Sequence, residues 1–319
     1  VTELVTPGVA FNDQVLEQKK NNFLAAIHFN KNINGVAFLD ISTGEFLIAE
    51  GSLSYIDKLI QGFEPSEIIY QKNKKANFEE QFGQQYYTYK LEDWVFTIDF
   101  GREILNKHFQ TNNLKGFGVD DYEDGIIAAG AILQYVSEAQ HQQLGHISKL
   151  QRIEQDQFVW LDRFTTRNLE LVNSYNPDGA SLLTTIDKTV TPMGGRMLKR
   201  WIQLPLKDLQ RIQQRHAVVE ALLNNEEVRE TISTHLQAIG DLERLVSKLA
   251  VGRINPKEVN QLKSNLSGIP MMQKKLHDSE NPILQKVANT LQSCDALVAR
   301  INTTLSADAP MLIGKGKVI

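Results

Sequence analysis

Apolar positions along the chain change their spacing near residue 156, which predicts two architectures in one polypeptide. Over 35–50, β-branched and aromatic residues flank the triplet Ser42-Thr43-Gly44. This predicts a β-hairpin whose tight turn uses the positive φ open to Gly44. Residues 54–62 place Tyr55, Ile56, Leu59 and Ile60 on one face of a short helix. A buried strand is expected over 65–70 and another over 95–98, then a helix around 101–109 and a long Ala- and Gly-rich helix over 124–143. Strands interleaved with helices predict an α/β layer for 1–155.

From 156 to 319 the strand pattern stops and an all-α domain is expected. Helical periodicity predicts segments over 161–175, 179–188, 192–203, 207–224, 226–238, 240–251, 256–267 and 281–305. Pro256 after Asn255 and Pro282 after Asn281 mark two helix starts. No repeat of 30–45 residues is visible, so a helical solenoid is not expected. The tail 311–319 breaks the helical pattern and reads as strand-like.

The sharpest helix start lies in the run TVTPMGGRMLKRWI at 189–202. Thr191 is placed to accept hydrogen bonds from first-turn amides, and Pro192 sits where its missing donor costs nothing. Gly194 and Gly195 cost ~1 kcal/mol each relative to alanine in a helix, which suggests that another backbone passes close by. Met197, Leu198, Trp201 and Ile202 form an apolar stripe expected to face inward, with Arg196, Lys199 and Arg200 elsewhere.

Composition narrows the class. The 319 residues are 42% hydrophobic and 23% charged, suited to soluble, globular domains, and no run approaches the ~20 apolar residues of a membrane span. No secretory signal is visible. Cys294, the single cysteine, excludes an internal disulfide, fits a reducing cytoplasm, and reads as a buried small side chain in a helix. The net charge of −4 hides an asymmetry. Residues 1–155 carry 13 Lys and Arg against 21 Asp and Glu; residues 156–319 carry 21 against 17. An acidic first half repels a phosphate backbone, so any role with nucleic acid is a supporting one. The start at Val1 and the stop after Ile319 suggest a piece of a longer protein.

Few residues offer chemistry of their own. Asp40, at the end of the first hairpin strand, reads either as a turn cap or as one ligand of a two-metal nuclease site with Asp99 and Asp124. The seven histidines are scattered; His141 and His146 are not a helical metal pair. The phosphate loop G-x-x-x-x-G-K-[ST] is absent, and Gly314-Lys315-Gly316-Lys317 has the wrong spacing. Lys72, Lys74 and Lys75, between Tyr70 and Phe78, read as a solvated polar loop or a weak basic patch.

Three motifs, LDRFTTRNLEL (161–171), the 189–202 run and GDLERL (240–245), resemble in order and spacing the core domain of the MutS family of DNA mismatch-recognition proteins. LVTPG (4–8), FLDISTGEF (38–46) and GFGV (116–119) resemble its connector domain. The resemblance implies a ribonuclease-H-like α/β connector over 1–155 and an all-α core, or lever, domain over 156–319 that stops before the clamp. The mismatch wedge Phe-x-Glu belongs to a preceding domain, and Phe78-Glu79-Glu80 matches its letters by coincidence. The implied role is coupling of mismatch binding and clamp to a distant ATPase, with no catalytic, cofactor or metal residue here. ATP and Mg belong to the longer parent. Implied partners are mismatched duplex DNA, mainly through absent domains, and a MutL-type protein docking on Arg102, Glu103, Ile104 and Leu105, or those four form an ordinary surface helix. The parent is expected to be a homodimer, this chain a monomer, and the location cytoplasmic, at the nucleoid when on DNA. Lever residues are Pro192, Gly194, Gly195 and Trp201, with ion pairs drawn from Arg167, Arg196 and Arg244 against Asp187, Asp241 and Glu243. Two alternatives stay open: a metal-dependent ribonuclease-H-like nuclease with a helical accessory domain, and a helical scaffold unrelated to DNA.

Overall fold

The structure, a computed structural model, describes residues 6–10, 15–140, 144–176 and 178–319. It divides into two compact units, one of residues 1–156 with 160–182, the other of 157–159 with 183–319.

In the first unit six strands form one mixed sheet in the order β5-β4-β1-β2-β3-β6. β1 (Phe23–His28), β2 (Asn34–Asp40) and β3 (Glu45–Gly51) run antiparallel in a meander. After helix α1 (Leu53–Phe63), β4 (Glu67–Gln71) returns parallel to β1. Helix α2 (Lys75–Phe82) precedes β5 (Thr88–Leu91), parallel to β4. Helices α3 (Ile98–Phe109) and α4 (Glu123–Gln140) pack together, with α4 against β1 and β2. β6 (Gln151–Arg152) adds to β3 in parallel, and α5 (Arg163–Asn168) follows, capped by Asp162.

The hairpin, the inward face of α1 and β4 match the sequence pattern, and Gly44 has φ +75°. Two expectations need correction. Residues 95–98 are not a strand: Val95 and Phe96 reach the core from a 3-10 turn (Asp93–Val95), and α3 starts at Ile98. The lysines after Tyr70 are solvated, Lys72–Lys74 in a 3-10 turn and Lys75 at the start of α2, but Phe78 does not lie in a polar loop: it is buried on α2 and stacks on Tyr70 with ring centroids 4.4 Å apart. α4 begins at Glu123, while 141–143 lie outside the described residues.

Backbone approaches fix this layer. A Cβ on Gly35 of β2 would lie 2.0 Å from the Asp124 carbonyl oxygen, so the start of α4 rests directly on the strand. A Cβ on Gly130 would lie 2.6 Å from the Gly101 Cα, so α3 and α4 cross glycine to glycine. Glu67 is fully buried and accepts hydrogen bonds from the Thr6 hydroxyl (2.5 Å), the Gly8 N–H (3.0 Å) and the Tyr135 hydroxyl (2.6 Å). Those donors stand in for the water a buried carboxylate loses.

The second unit is helical: α6 (Leu182–Ile186, opening at the boundary), α7 (Pro192–Gln203), α8 (Leu209–Leu223), α9 (Glu226–Ala238), α10 (Leu242–Ala250), α11 (Pro256–Ser267), α12 (Ile269–His277), α13 (Pro282–Ala288) and α14 (Asp295–Thr304). Ala221, Val228, Leu276, Leu284 and Ala288 form one of its apolar clusters, shared by α8, α9, α12 and α13. The long helix expected over 281–305 is two, broken between Ala288 and Asp295. Cys294 sits at that break, half-buried at the N-cap of α14, not inside a helix. The segments expected over 161–175 and 179–188 shorten to α5 and α6, with Glu170 left-handed just after α5 (φ 47°). The tail 311–319 runs in turns and irregular backbone, not as a strand. No helix among the described residues is long and apolar enough to cross a membrane.

Candidate functional site

The first turn of α7 is built as its sequence suggests: the Thr191 hydroxyl accepts the Gly194 N–H at 3.0 Å, and Pro192 opens the helix. The reason for Gly194 differs from expectation. A Cβ there would meet Thr191 Oγ1 at 3.0 Å and Thr189 Cβ at 3.4 Å, so the crowding comes from the cap itself, not from another backbone. Gly195 is buried.

Only part of the expected stripe on α7 faces inward: Leu198 and Ile202 are half-buried. Met197 is 55% and Trp201 42% exposed, whereas Arg196 is 4% exposed. The guanidinium of Arg196 explains its burial. Nη1 and Nη2 donate to the two carboxylate oxygens of Asp241 at 2.7 and 2.8 Å, and Nη2 donates to Glu243 at 2.6 Å. Two parallel bonds to one carboxylate fit the planar fork of arginine. Burial opposes the charge on Arg196, but the hydrogen bonds and fields of Asp241 and Glu243 outweigh it and hold its pKa above the ordinary value.

Asp241 also caps α10, accepting the Arg244 N–H at 3.3 Å, and Arg244 Nε lies 3.5 Å from the same carboxylate. Arg196, Asp241, Glu243 and Arg244 thus meet at one junction. Arg167 and Asp187 have other contacts. The Arg167 guanidinium lies 4.5 Å over the Tyr175 ring, and the Asp187 carboxylate accepts the Thr189 N–H and hydroxyl at 2.9 and 2.5 Å. Trp201 carries the Arg215 guanidinium 3.6 Å above its ring. Nothing in the apolar pattern pointed to Arg215, since the contact joins helices α7 and α8 across the loop at 204–208.

On α3, Arg102 donates to the Asp120 carboxylate (3.0 Å) and carbonyl (2.7 Å), and Glu103 is exposed. Ile104 is half-buried, and Leu105 faces the core and is fully buried. The outward face of this helix is therefore formed by Asp99, Glu103 and Lys107, with Arg102 and Ile104 half-buried at its edge.

The Asp40 carboxylate accepts from the Ser42 N–H (2.9 Å) and hydroxyl (2.6 Å), Asn21 Nδ2 (2.8 Å) and the Asn22 N–H (3.2 Å). It holds the hairpin turn. Asp124 accepts from Asn30 (3.0 Å) and lies 2.8 Å from His28 Nδ1, while Asp99 is exposed at the start of α3. Among the described residues no three His, Cys, Asp or Glu side chains are grouped to hold a metal ion. His146 reaches the Ile41 carbonyl, and His141 lies outside the described residues. The Gly314–Lys317 segment lies in turns and bends with no strand leading into it, and its glycine and lysine spacing is not that of a phosphate loop.

A six-stranded mixed sheet followed by a helical unit is a two-domain α/β-then-α arrangement, and the comparisons assign both parts to one family. The family model described as MutS domain II matches residues 22–148, and that described as MutS domain III matches 164–319. The chain belongs to the MutS family. It is 52% identical over 320 residues to the DNA mismatch repair protein MutS of Flavobacterium johnsoniae, and 52% identical over 319 residues to those of Cytophaga hutchinsonii and Bacteroides fragilis. Each match takes in all of this chain and 37% of the relative, so the chain spans about a third of the length of these proteins.

Proposed function

We propose that this chain is the connector (1–155) and core (156–319) of a mismatch-recognition ATPase, and that it works as a relay without catalysis of its own. The mixed sheet supports a ribonuclease-H-like reading of the connector. In the parent, ATP with Mg and most of the contact to mismatched duplex DNA belong to other domains, and the parent acts as a dimer in the bacterial cytoplasm. A relay needs elements that keep their relative positions under load. The observation that carries this reading is the buried Arg196 fork on Asp241, which ties α7 to the first turn of α10.

The test is the full-length protein with Arg196→Ala. Its mismatched-duplex affinity should lose its dependence on ATP, while ATP turnover without DNA stays within about twofold. Retained nucleotide dependence would sink the relay. The connector would also receive a MutL-type partner on the outer face of α3, supported by the exposure of Glu103 and the half-exposure of Arg102. Photocrosslinkers placed at Arg102, Glu103 and Lys107 should capture that partner when ATP is present; capture from the opposite side of the sheet alone would overturn this placement.

A further inference from the structure

α10 has only nine residues, too few to hold itself as a helix in water. Its apolar side is modest: Leu245 is buried, as are Leu262 and Leu266 of α11, while Val246 and Leu249 are exposed. Polar pins hold it instead. At its start the Gly240 N–H donates to Asn265 Oδ1 at 3.2 Å, and Asn265, in the last turn of α11, is 2% exposed. At its end Lys248 Nζ donates to Glu258 Oε1 at 2.7 Å, in a pair whose side chains are 12% and 19% exposed.

Glu258 does two jobs. Its other oxygen accepts the Asn255 N–H at 2.9 Å while Asn255 Oδ1 accepts the Glu258 N–H at 3.0 Å, the reciprocal box that starts α11. The carboxylate that starts α11 therefore also grips the last turn of α10. Gly240 lies two residues ahead of α10, and Leu242 to Lys248 alone spans about 9 Å along the helix. A single pin leaves a helix free to pivot; two pins that far apart do not. Arg196 adds a third link, from α7 into the same first turn that Asn265 holds.

We infer that Lys248, Glu258 and Asn265 are positioning residues that make α7, α10 and α11 one rigid body. The inference deepens the relay reading and rests on it only for its consequence in the full protein. Force arriving on α7 passes through Arg196 into a helix that cannot turn, and from there into α11. The path continues, because Asn260 of α11 donates to the Ser306 carbonyl at 2.8 Å, just beyond α14.

Hydrogen exchange on the 319-residue chain tests the rigid body without reference to DNA. Lys248→Met removes the distal pin and keeps the side-chain length; Asn265→Ala removes the proximal one. Either should lower protection of α7, α10 and α11 together by about tenfold, the scale of one coupled pair, while Lys248→Arg stays within about twofold. Loss confined to residues beside the substitution, with α7 unchanged, overturns the inference. In the full-length protein, Lys248→Met should reduce the ATP-dependent change in mismatched-duplex Kd, leave the nucleotide-free Kd unchanged, and be rescued by Lys248→Arg. A wild-type protein with no ATP dependence at all would count against the relay reading, and the exchange experiment would still decide the rigid body.

Discussion

Asp241 serves two helices with one carboxylate: it caps α10 through the Arg244 N–H and receives both outer nitrogens of Arg196 from α7. Removing Arg196 leaves that carboxylate partly buried and short of donors, whereas removing Asp241 leaves a buried guanidinium. Arg196→Ala should destabilise the helical unit by about 3–5 kcal/mol, the range for breaking one partner of a buried pair. Arg196→Lys should recover only part of this, since an ammonium cannot engage two oxygens in plane. Urea melts of the chain measure both; an unchanged midpoint for the alanine variant contradicts the assignment.

Gly35 offers a steric test of the connector layer. A methyl group there would overlap the Asp124 carbonyl, at 2.0 Å, and that backbone is held by the Gly125 N–H on Glu50 at 2.9 Å. Gly35→Ala should cost more than the ~1–3 kcal/mol typical of overpacking. Gly62→Ala, where nothing lies within 4 Å, serves as the control. Circular dichroism melts should separate the two by many degrees.

Acid should weaken the first unit. Burial lowers the pKa of His28, against the opposing pull of Asp124, and likewise lowers those of His108 and His146. A histidine with a folded pKa below its unfolded value of about 6.5 is taken up as a cation first by the unfolded chain. Stability is therefore full above pH 6.5 and falls as the pH drops towards the folded pKa values. His108→Gln, whose amide can still donate to the Ile147 carbonyl, should flatten this dependence in melts between pH 7 and 5. A slope equal to wild type would show that His108 does not contribute.

Asp40→Ala strips the acceptor from two backbone amides and a hydroxyl around the hairpin turn. A loss of about 2–3 kcal/mol is expected. If Asp40 were instead a metal ligand, magnesium would raise the wild-type melting temperature and the chain would cut structured DNA. Neither is expected, and both are direct to measure.

Much of this was legible because local chemistry decided it. Thr191-Pro192 announced α7, and Asn255-Pro256 announced α11. β1 escaped because it is buried on both sides, so Phe23 to Ile27 show no alternation. α12 escaped because Pro270 reads as a break, although it sits in the first turn, where proline is accepted. The face of α7 was misjudged in part, for a different reason. Hydrophobic patterning scores arginine as outward, and only a carboxylate 45 residues away makes it buried. Lys248, Glu258 and Asn265 were invisible on the same ground: each is an ordinary polar residue until its distant partner is known.

The glycine-on-glycine crossing of α3 and α4 leaves no cushion of side chains between their backbones. A helix seated so closely cannot absorb a shift of its neighbour by rearranging rotamers. Any tilt of α4 is handed undamped to the outer surface that bears Arg102 and Glu103, and a single added methyl at either glycine would set a new standoff for that whole surface.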